Sequence, residues 1–394
     1  MAAAGCLGAA ADSTVVRPGI SVLITDSLHL LDGARVGLIT NQTGIGPQGR
    51  SDVDLLLDAG VNLTTLFSPE HGFRGGLDRE GIGHSVDSVS GLPIYSLYGD
   101  TREPTLEMLA DLDVLIVDMQ DIGARTYTYI STALLAMRAA ARVGVRVIIP
   151  DRPNPVGGRL VQGPILDTAA SSFIGMLPVP LRHGMTMGEL AAFGNDVLSL
   201  GADVTVVPAG GWTRMQWFDD TELPWVRPSP NMPNLESATH YPGSVLFEGT
   251  NLSVGRGTPI AFQVVGAPWL DPTAVMERVG MVRGVALRDT VITPQQPTDL
   301  KYDGERLPAV LMQVVDRTVY DPTAVAVRLL AAVFAIHADT ARFRIEAFDR
   351  LAGGSTLRTA IEAGRNAEEI VADWEVPLES FRAVRGRYLL YPEE

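Results

Sequence analysis

Short runs of uninterrupted apolar residues recur through the first half of the chain, each followed by a polar cluster and then an amphipathic stretch. The runs are 35–40 (RVGLIT), 62–68 (NLTTLFS), 114–119 (VLIVDM), 145–151 (VRVIIPD) and 203–208 (DVTVVP). Continuous Val, Ile and Leu without polar alternation is the pattern of strands covered on both faces. Between them, 51–59, 105–112, 131–143 and 186–200 carry helical spacing, and Thr186 with Glu189 forms a capping-box pattern. This alternation predicts an α/β domain over residues 14–210, built on a Rossmann-like, doubly wound parallel sheet.

The 394 residues are more than one core needs, so a second domain is expected. Residues 211–258 are rich in Pro, Gly and Asn, yet Trp212, Trp217 and Trp225 argue against disorder there. Beyond them, 259–265 and 285–292 read as strands, and 321–338 and 355–363 as helices. The expectation is a second, smaller α/β domain over 211–394.

A formal charge of −15 argues against a nucleic-acid partner, which needs a positive surface. No stretch approaches the roughly 20 apolar residues of a membrane span; the nearest, 329–336, reads as a buried core helix. Cys6 is the single cysteine, so no internal disulfide forms. The small residues around Cys6 resemble the end of an export signal lacking its charged and apolar regions. That predicts an exported protein with a truncated or mis-called signal; a plain small-residue tail also fits, and a cytoplasmic location stays open.

Parallel sheets of this kind bind ligands beyond the carboxyl ends of their strands. Four polar clusters fall there: Asn41-Gln42-Thr43, Pro69-Glu70-His71, Asp118-Met119-Gln120-Asp121 and Asp151-Arg152-Pro153-Asn154. Glu70, His71 and Arg74 fall within five positions among glycines, and Glu70 suits a general acid if burial raises its pKa. Asp118 closes an apolar strand and needs a cation; Arg125 is the expected partner. Tyr127 and Tyr129 offer aromatic faces to a sugar, and two prolines stiffen the loop after Asp151. In the connection, Glu248 is a second carboxylate, and Asn231, Asn251 and Arg256 are suitable hydroxyl, amide and carboxylate binders. Each cluster also has a plain reading as loop structure.

Gly44-Ile45-Gly46-Pro47-Gln48-Gly49 matches the dinucleotide fingerprint literally. Three residues separate it from the strand, however, and Pro47 removes an N–H from the loop that should cradle pyrophosphate. The histidines show no zinc-protease spacing and no nucleophile elbow occurs. No cofactor and no metal are expected.

The motifs 37–44 (GLITNQTG), 68–75 (SPEHGFRG), 92–98 (LPIYSLY), 118–129 (DMQDIGARTYTY), 151–158 (DRPNPVGG), 228–233 (PSPNMP) and 241–257 (YPGSVLFEGTNLSVGRG) are long and ordered. With them the chain resembles the bacterial exo-β-N-acetylmuramidases of peptidoglycan recycling, long catalogued as a domain of unknown function. The resemblance implies a Rossmann-like domain without nucleotide, a cleft at the domain interface, and release of N-acetylmuramic acid from non-reducing ends of peptidoglycan fragments. It implies Glu70 as the leading catalytic carboxylate. Asp118 and Glu248 are the other catalytic candidates. His71, Gln120, Asp121, Arg125, Thr128, Asp151, Arg152, Asn154, Asn231, Asn251 and Arg256 are the candidates for substrate binding. An arginine is expected to read the lactyl carboxylate, in the order Arg125, Arg152, Arg256. The rivals are a non-catalytic wall-sugar binder and a nicotinamide-dependent glycosidase.

Overall fold

The structure is a computed structural model, described here for residues 15–76 and 83–394. Cys6 and the signal-like segment lie outside the described residues. The strands are β1 (Val36–Thr40), β2 (Leu63–Ser68), β3 (Ser85–Val86), β4 (Pro93–Ser96), β5 (Val114–Asp118), β6 (Arg146–Pro150), β7 (Gln162–Ile165), β8 (Pro180–Arg182), β9 (Val204–Val207), β10 (Val264–Gly266), β11 (Val285–Ile292) and β12 (Leu307–Val314). The helices are α1 (Gly19–Asp26), α2 (Asp52–Asp58), α3 (Leu106–Leu109), α4 (Tyr129–Val143), α5 (Met187–Val197), α6 (Leu235–Ser244), α7 (Pro272–Val279), α8 (Pro322–Ile336), α9 (Ile345–Ala352), α10 (Thr356–Glu362), α11 (Ala367–Ala372) and α12 (Glu375–Arg385).

The main sheet runs β3-β4-β2-β1-β5-β6-β9, parallel except for β3 at its edge. Without β3, the chain order of the strands is third, second, first, fourth, fifth, sixth: the Rossmann arrangement, with its switch point between β1 and β5. The two faces bury separate cores. Leu38, Leu66, Ile116 and Ile148 pack with α1 and α2, through Ile20, Leu23 and Leu56. Ile39, Phe67, Leu115, Val117 and Ile149 join the core of α4 and α5, through Leu134, Met137 and Leu190. This two-sided burial explains why the strands read as continuous apolar runs.

Local signals set the helix ends. Thr186 and Glu189 form the expected capping box on α5, and Gly144, at φ +72°, closes α4 in the left-handed conformation that glycine tolerates. The 4-residue β4 was not anticipated, being too short and too interrupted by Pro93 to register as an apolar run.

The second domain is a three-stranded antiparallel sheet, β10-β12-β11, packed against α7, which packs in turn on α8. The anticipated 329–336 segment is part of α8, which buries Leu329, Leu330 and Val333. Its core is continuous with that of α4 and α5.

The chain then returns to the first domain. Phe381 and Tyr388 meet Phe193 edge-on at 6.2 and 5.4 Å. Tyr391 stands against Trp212 at 4.9 Å, donates to Asp151 Oδ2 at 2.6 Å and accepts from the Ala209 N–H at 2.9 Å.

Candidate active site

At the switch point Thr40 and Asp118 end neighbouring strands in register. Asp118 is fully buried and receives two bonds from Arg152, Nε at 2.5 Å and Nη2 at 2.8 Å. Its partner is therefore Arg152 and not Arg125, and it is closed to substrate. Arg125 instead spans three carbonyls, Pro164 O (2.7 Å), Val179 O (3.1 Å) and Leu351 O (2.8 Å). Burial without an acid pushes its pKa down to about 9. Neither Arg125 nor Arg152 is available to a sugar carboxylate.

The crevice that holds a dinucleotide in other Rossmann folds is filled here by side chains. Asp52 accepts from the Thr40 hydroxyl and, at 2.8 Å, from the Val53 N–H, so the N-terminus of α2 faces its own carboxyl group. Burial and then the charge of Asp118 raise the Asp52 pKa well above the usual carboxylate range. Gly44 makes room for this contact: a Cβ there would lie 2.1 Å from Asp52 Oδ2. Within the apparent fingerprint, Gly44 thus serves internal packing and Gly49, at φ +76°, a turn.

The loop after β6 is likewise committed inward. Asp151 accepts from Thr186, Tyr391, the Gly188 N–H and the Arg152 N–H. Asn154 holds Met185 O and the Val156 N–H, and Gln120 donates to Asp121 O and Pro153 O. Asn251 pins its loop to Thr340 O and the Arg342 N–H. Asp118, Asp151, Arg125, Arg152, Gln120, Asn154 and Asn251 are architectural in this geometry, against the sequence expectation. The physical reason is shared: polar groups at buried strand ends must be paired, and here other protein groups pair them.

What remains gathers around a tyrosine cluster between the two domains. Glu70, beyond β2, is half-buried and accepts from the hydroxyl of Thr128, the residue just before α4, which makes no capping bond to that helix. His71 follows at φ +70°, a left-handed conformation uncommon without glycine and typical of residues held in place for a purpose. Tyr127 meets Tyr129 at 5.0 Å and Tyr241 at 5.9 Å, both edge-on. Burial first, then the nearby charges of Glu248 and Glu70, raise the Tyr241 pKa and keep its phenol neutral. Tyr241 in turn meets Phe262 at 4.8 Å, which carries the aromatic cluster into the second half of the chain.

Glu248 is ion-paired to Arg256 at 2.5 Å. Arg256 also reaches Thr298 Oγ1 at 3.1 Å and lies over the Phe262 ring, and Asn231 donates to the same Thr298 at 3.2 Å. Lys301 braces the turn by donating to Glu248 O (3.2 Å) and Leu252 O (2.8 Å). Deeper in, Asp121 is buried, with Oδ1 on the Gly123 N–H and Oδ2 without a hydrogen-bond partner among the described residues. Burial raises its pKa to about 7. Around it the side chains of Tyr127, Thr126 and Asn41 face those of Ser229, Tyr241 and Tyr129, respectively. A buried carboxyl oxygen left without a partner is a group that a ligand hydroxyl or a water would complete.

A cleft of about 470 Å³ opens beside Glu248 and Arg256. The first domain lines it with Tyr98 and Phe173, whose rings both carry the guanidinium of Arg102, at 5.1 and 4.4 Å. The second domain adds Arg344 and Arg350. Sequence reasoning missed these residues. Tyr98 was within reach, since it follows β4 as Glu70 follows β2; Phe173, Arg344 and Arg350 carry no motif. Among the described residues, no group of three or more His, Cys, Asp or Glu could hold a metal ion.

The profile of the exo-beta-N-acetylmuramidase NamZ N-terminal domain matches residues 36–236, and that of its C-terminal domain matches 239–391. The chain belongs to the exo-β-N-acetylmuramidase family. As a member it is a glycoside hydrolase, as the resemblance implied. It is similar to the peptidoglycan beta-N-acetylmuramidase NamZ of Bacillus subtilis, at 42% identity over 95% of this chain and 91% of that protein. Two solved structures of DUF1343 family proteins from Bacteroides fragilis share the fold. One has a TM-score of 0.88 at 35% identity, covering 95% of this chain and 99% of its own; the other has 0.76 at 33%, covering 96% and 99%. The muramidase profiles meet within α6, beyond residue 210 where composition changes. Residues before α6 rest on the first domain, through Gln42 Nε2 to Arg227 O (2.7 Å) and Tyr129 OH to Pro228 O.

Proposed function

We propose that the interdomain cleft hydrolyses the glycosidic bond of a terminal N-acetylmuramic acid, with Glu70 donating the proton to the leaving oxygen. The observation that carries this is one run of contacts between the two carboxylates: Glu70 accepts from Thr128, the rings of Tyr129, Tyr127, Tyr241 and Phe262 follow edge to face, and Arg256 over Phe262 holds Glu248. Two carboxyl groups flanking a sugar site are the usual requirement of glycoside hydrolysis. Glu70 stands at the half-exposed end of a strand, where a substrate oxygen can reach it. Glu248, fixed by Arg256, supplies negative charge to the oxocarbenium-like transition state. The acetamido group of the substrate is a third participant, able to act as internal nucleophile. Asp121, whose Oδ2 has no hydrogen-bond partner among the described residues, is assigned to a sugar hydroxyl. His71, Thr128 and Asn231 position these groups.

The B. subtilis relative acts on peptidoglycan by its name, and the same substrate is proposed here, attacked from its non-reducing end. A wall substrate and the small-residue N-terminus both support export; cell fractionation tests that. The deciding experiment incubates the protein with a disaccharide of N-acetylmuramic acid linked to N-acetylglucosamine and identifies the released sugars by mass spectrometry. Free N-acetylmuramic acid is the expected product. Binding without release would turn the protein into a wall-sugar binder.

A further inference from the structure

The proposed substrate carries a lactyl carboxylate, and Arg125 and Arg152 are committed to internal bonds. Four other guanidinium groups line the cleft: Arg102 lies over Tyr98 and Phe173, Arg256 holds Glu248, and Arg344 and Arg350 come from the second domain. Arg344 and Arg350 are exposed, line the cleft from α9, and make no ion pair with an acid among the described residues. Arg344, Ala347, Arg350 and Leu351 follow helical spacing, so one face of α9 forms this wall. No side chain caps the first turn of α9, whose positive end adds to the charge of Arg344.

This wall is tied to the candidate reaction centre. The Arg344 N–H donates to Gly249 O at 2.8 Å, next to Glu248. A Cβ on Gly249 would lie 2.5 Å from the Phe348 backbone, so the turn carrying Glu248 rests directly on α9. The acids in the same cleft already face cations: Glu248 meets Arg256, and Asp299 lies 3.9 Å from Lys301. A protein of net charge −15 thus keeps two unpaired arginines beside its reaction centre. Exposed guanidinium groups in a cleft suit planar carboxylates.

We propose that Arg344, together with Arg350, forms a carboxylate subsite that reads the anionic substituent of the glycan. The assignment rests on the muramidase reading of the cleft. The carboxylate has two possible sources: the lactyl group of the terminal sugar, or that of the next muramic acid along the strand.

The test compares wild type with Arg344→Lys, Arg350→Ala and the Arg344→Ala/Arg350→Ala double variant. One substrate pair is an aryl N-acetylmuramide as free acid and as methylamide; the other is the muramic-terminated disaccharide and its tetrasaccharide. If the terminal lactyl group is read, the acid-to-amide ratio of kcat/KM falls about tenfold to a hundredfold in the variants. If the next repeat is read, that ratio holds and the tetrasaccharide preference over the disaccharide collapses instead. Either result supports the subsite, while both ratios at wild-type values in the double variant overturn it. Calorimetry with free N-acetylmuramic acid and N-acetylglucosamine keeps the two readings apart. A wild type that cleaves nothing, yet binds the acid in an Arg344-dependent way, retains the subsite and discards the reaction. Loss of catalysis together with equal binding of both sugars by wild type discards both.

Discussion

The hydroxyl of Thr128 donates to the carboxylate of Glu70, so the start of α4 holds the group at the end of β2. The two residues are far apart in sequence and belong to different crossovers of the sheet. Glu70→Gln should lower kcat by about 10²–10⁴, the usual worth of acid–base help, with thermal unfolding unchanged. Thr128→Val removes one hydrogen bond and should cost kcat up to about tenfold. Steady-state kinetics on a muramic-terminated substrate measures both. A Glu70→Gln enzyme at full speed would remove Glu70 from the reaction.

Glu248 should be as sensitive as Glu70, because its pair with Arg256 fixes it at the mouth of the cleft. Glu248→Gln is expected to lower kcat at least a hundredfold. Arg256→Lys keeps charge but loses the fork, and should give an intermediate loss. Equal activity of wild type and Glu248→Gln would leave Glu248 a mere brace for Arg256.

Asp118→Asn strands the Arg152 guanidinium in a buried site. Removing one partner of such a pair costs about 3–5 kcal/mol. Urea unfolding should show that loss, while kcat per folded molecule stays near wild type. A variant that folds normally but loses turnover would restore Asp118 as a catalytic group.

Asp121 titrates in the fold near pH 7, against about 4 in an unfolded chain. The folded state therefore binds the extra proton between these values, and stability falls as pH rises from about 4 to 7, then levels. Asp151, raised by burial to about 6, adds to the same slope at its lower end. Thermal unfolding across this range should show a shallower slope in Asp121→Asn than in wild type. Identical slopes would mean that Asp121 is not protonated in the fold.

Tyr391→Phe deletes a donor to Asp151 and an acceptor for Ala209 N–H. The expected loss is about 1–3 kcal/mol, read by chemical unfolding, with kinetic constants unmoved.

The parallel sheet was legible because strands covered on both faces are apolar throughout, and 35–40, 114–119 and 145–151 gave no other reading. Glu70 was singled out by the family resemblance at SPEHG; its spacing alone fitted a surface loop with a Glu–Arg pair equally well. The partners of buried charges were not legible. Arg125 is closer to Asp118 in sequence, yet Arg152 takes it, since adjacent parallel strands bring their ends together across long separations. Arg344 and Arg350 were invisible for the opposite reason. Exposed arginines on a helix look like solvated surface until the fold shows which wall they face.

Tyr391 also bears on the order in which the molecule can be completed. The seven strands of the main sheet leave the ribosome long before Tyr391 is made. Until then Asp151 lacks its phenol, Trp212 its ring partner, and Glu189 the N–H of Leu390. The first domain is not a contiguous length of chain, and its last core pieces arrive only after the second domain has been synthesised. A nascent or truncated first half would collapse around its sheet and wait, open at β6 and β9, for its own distant end.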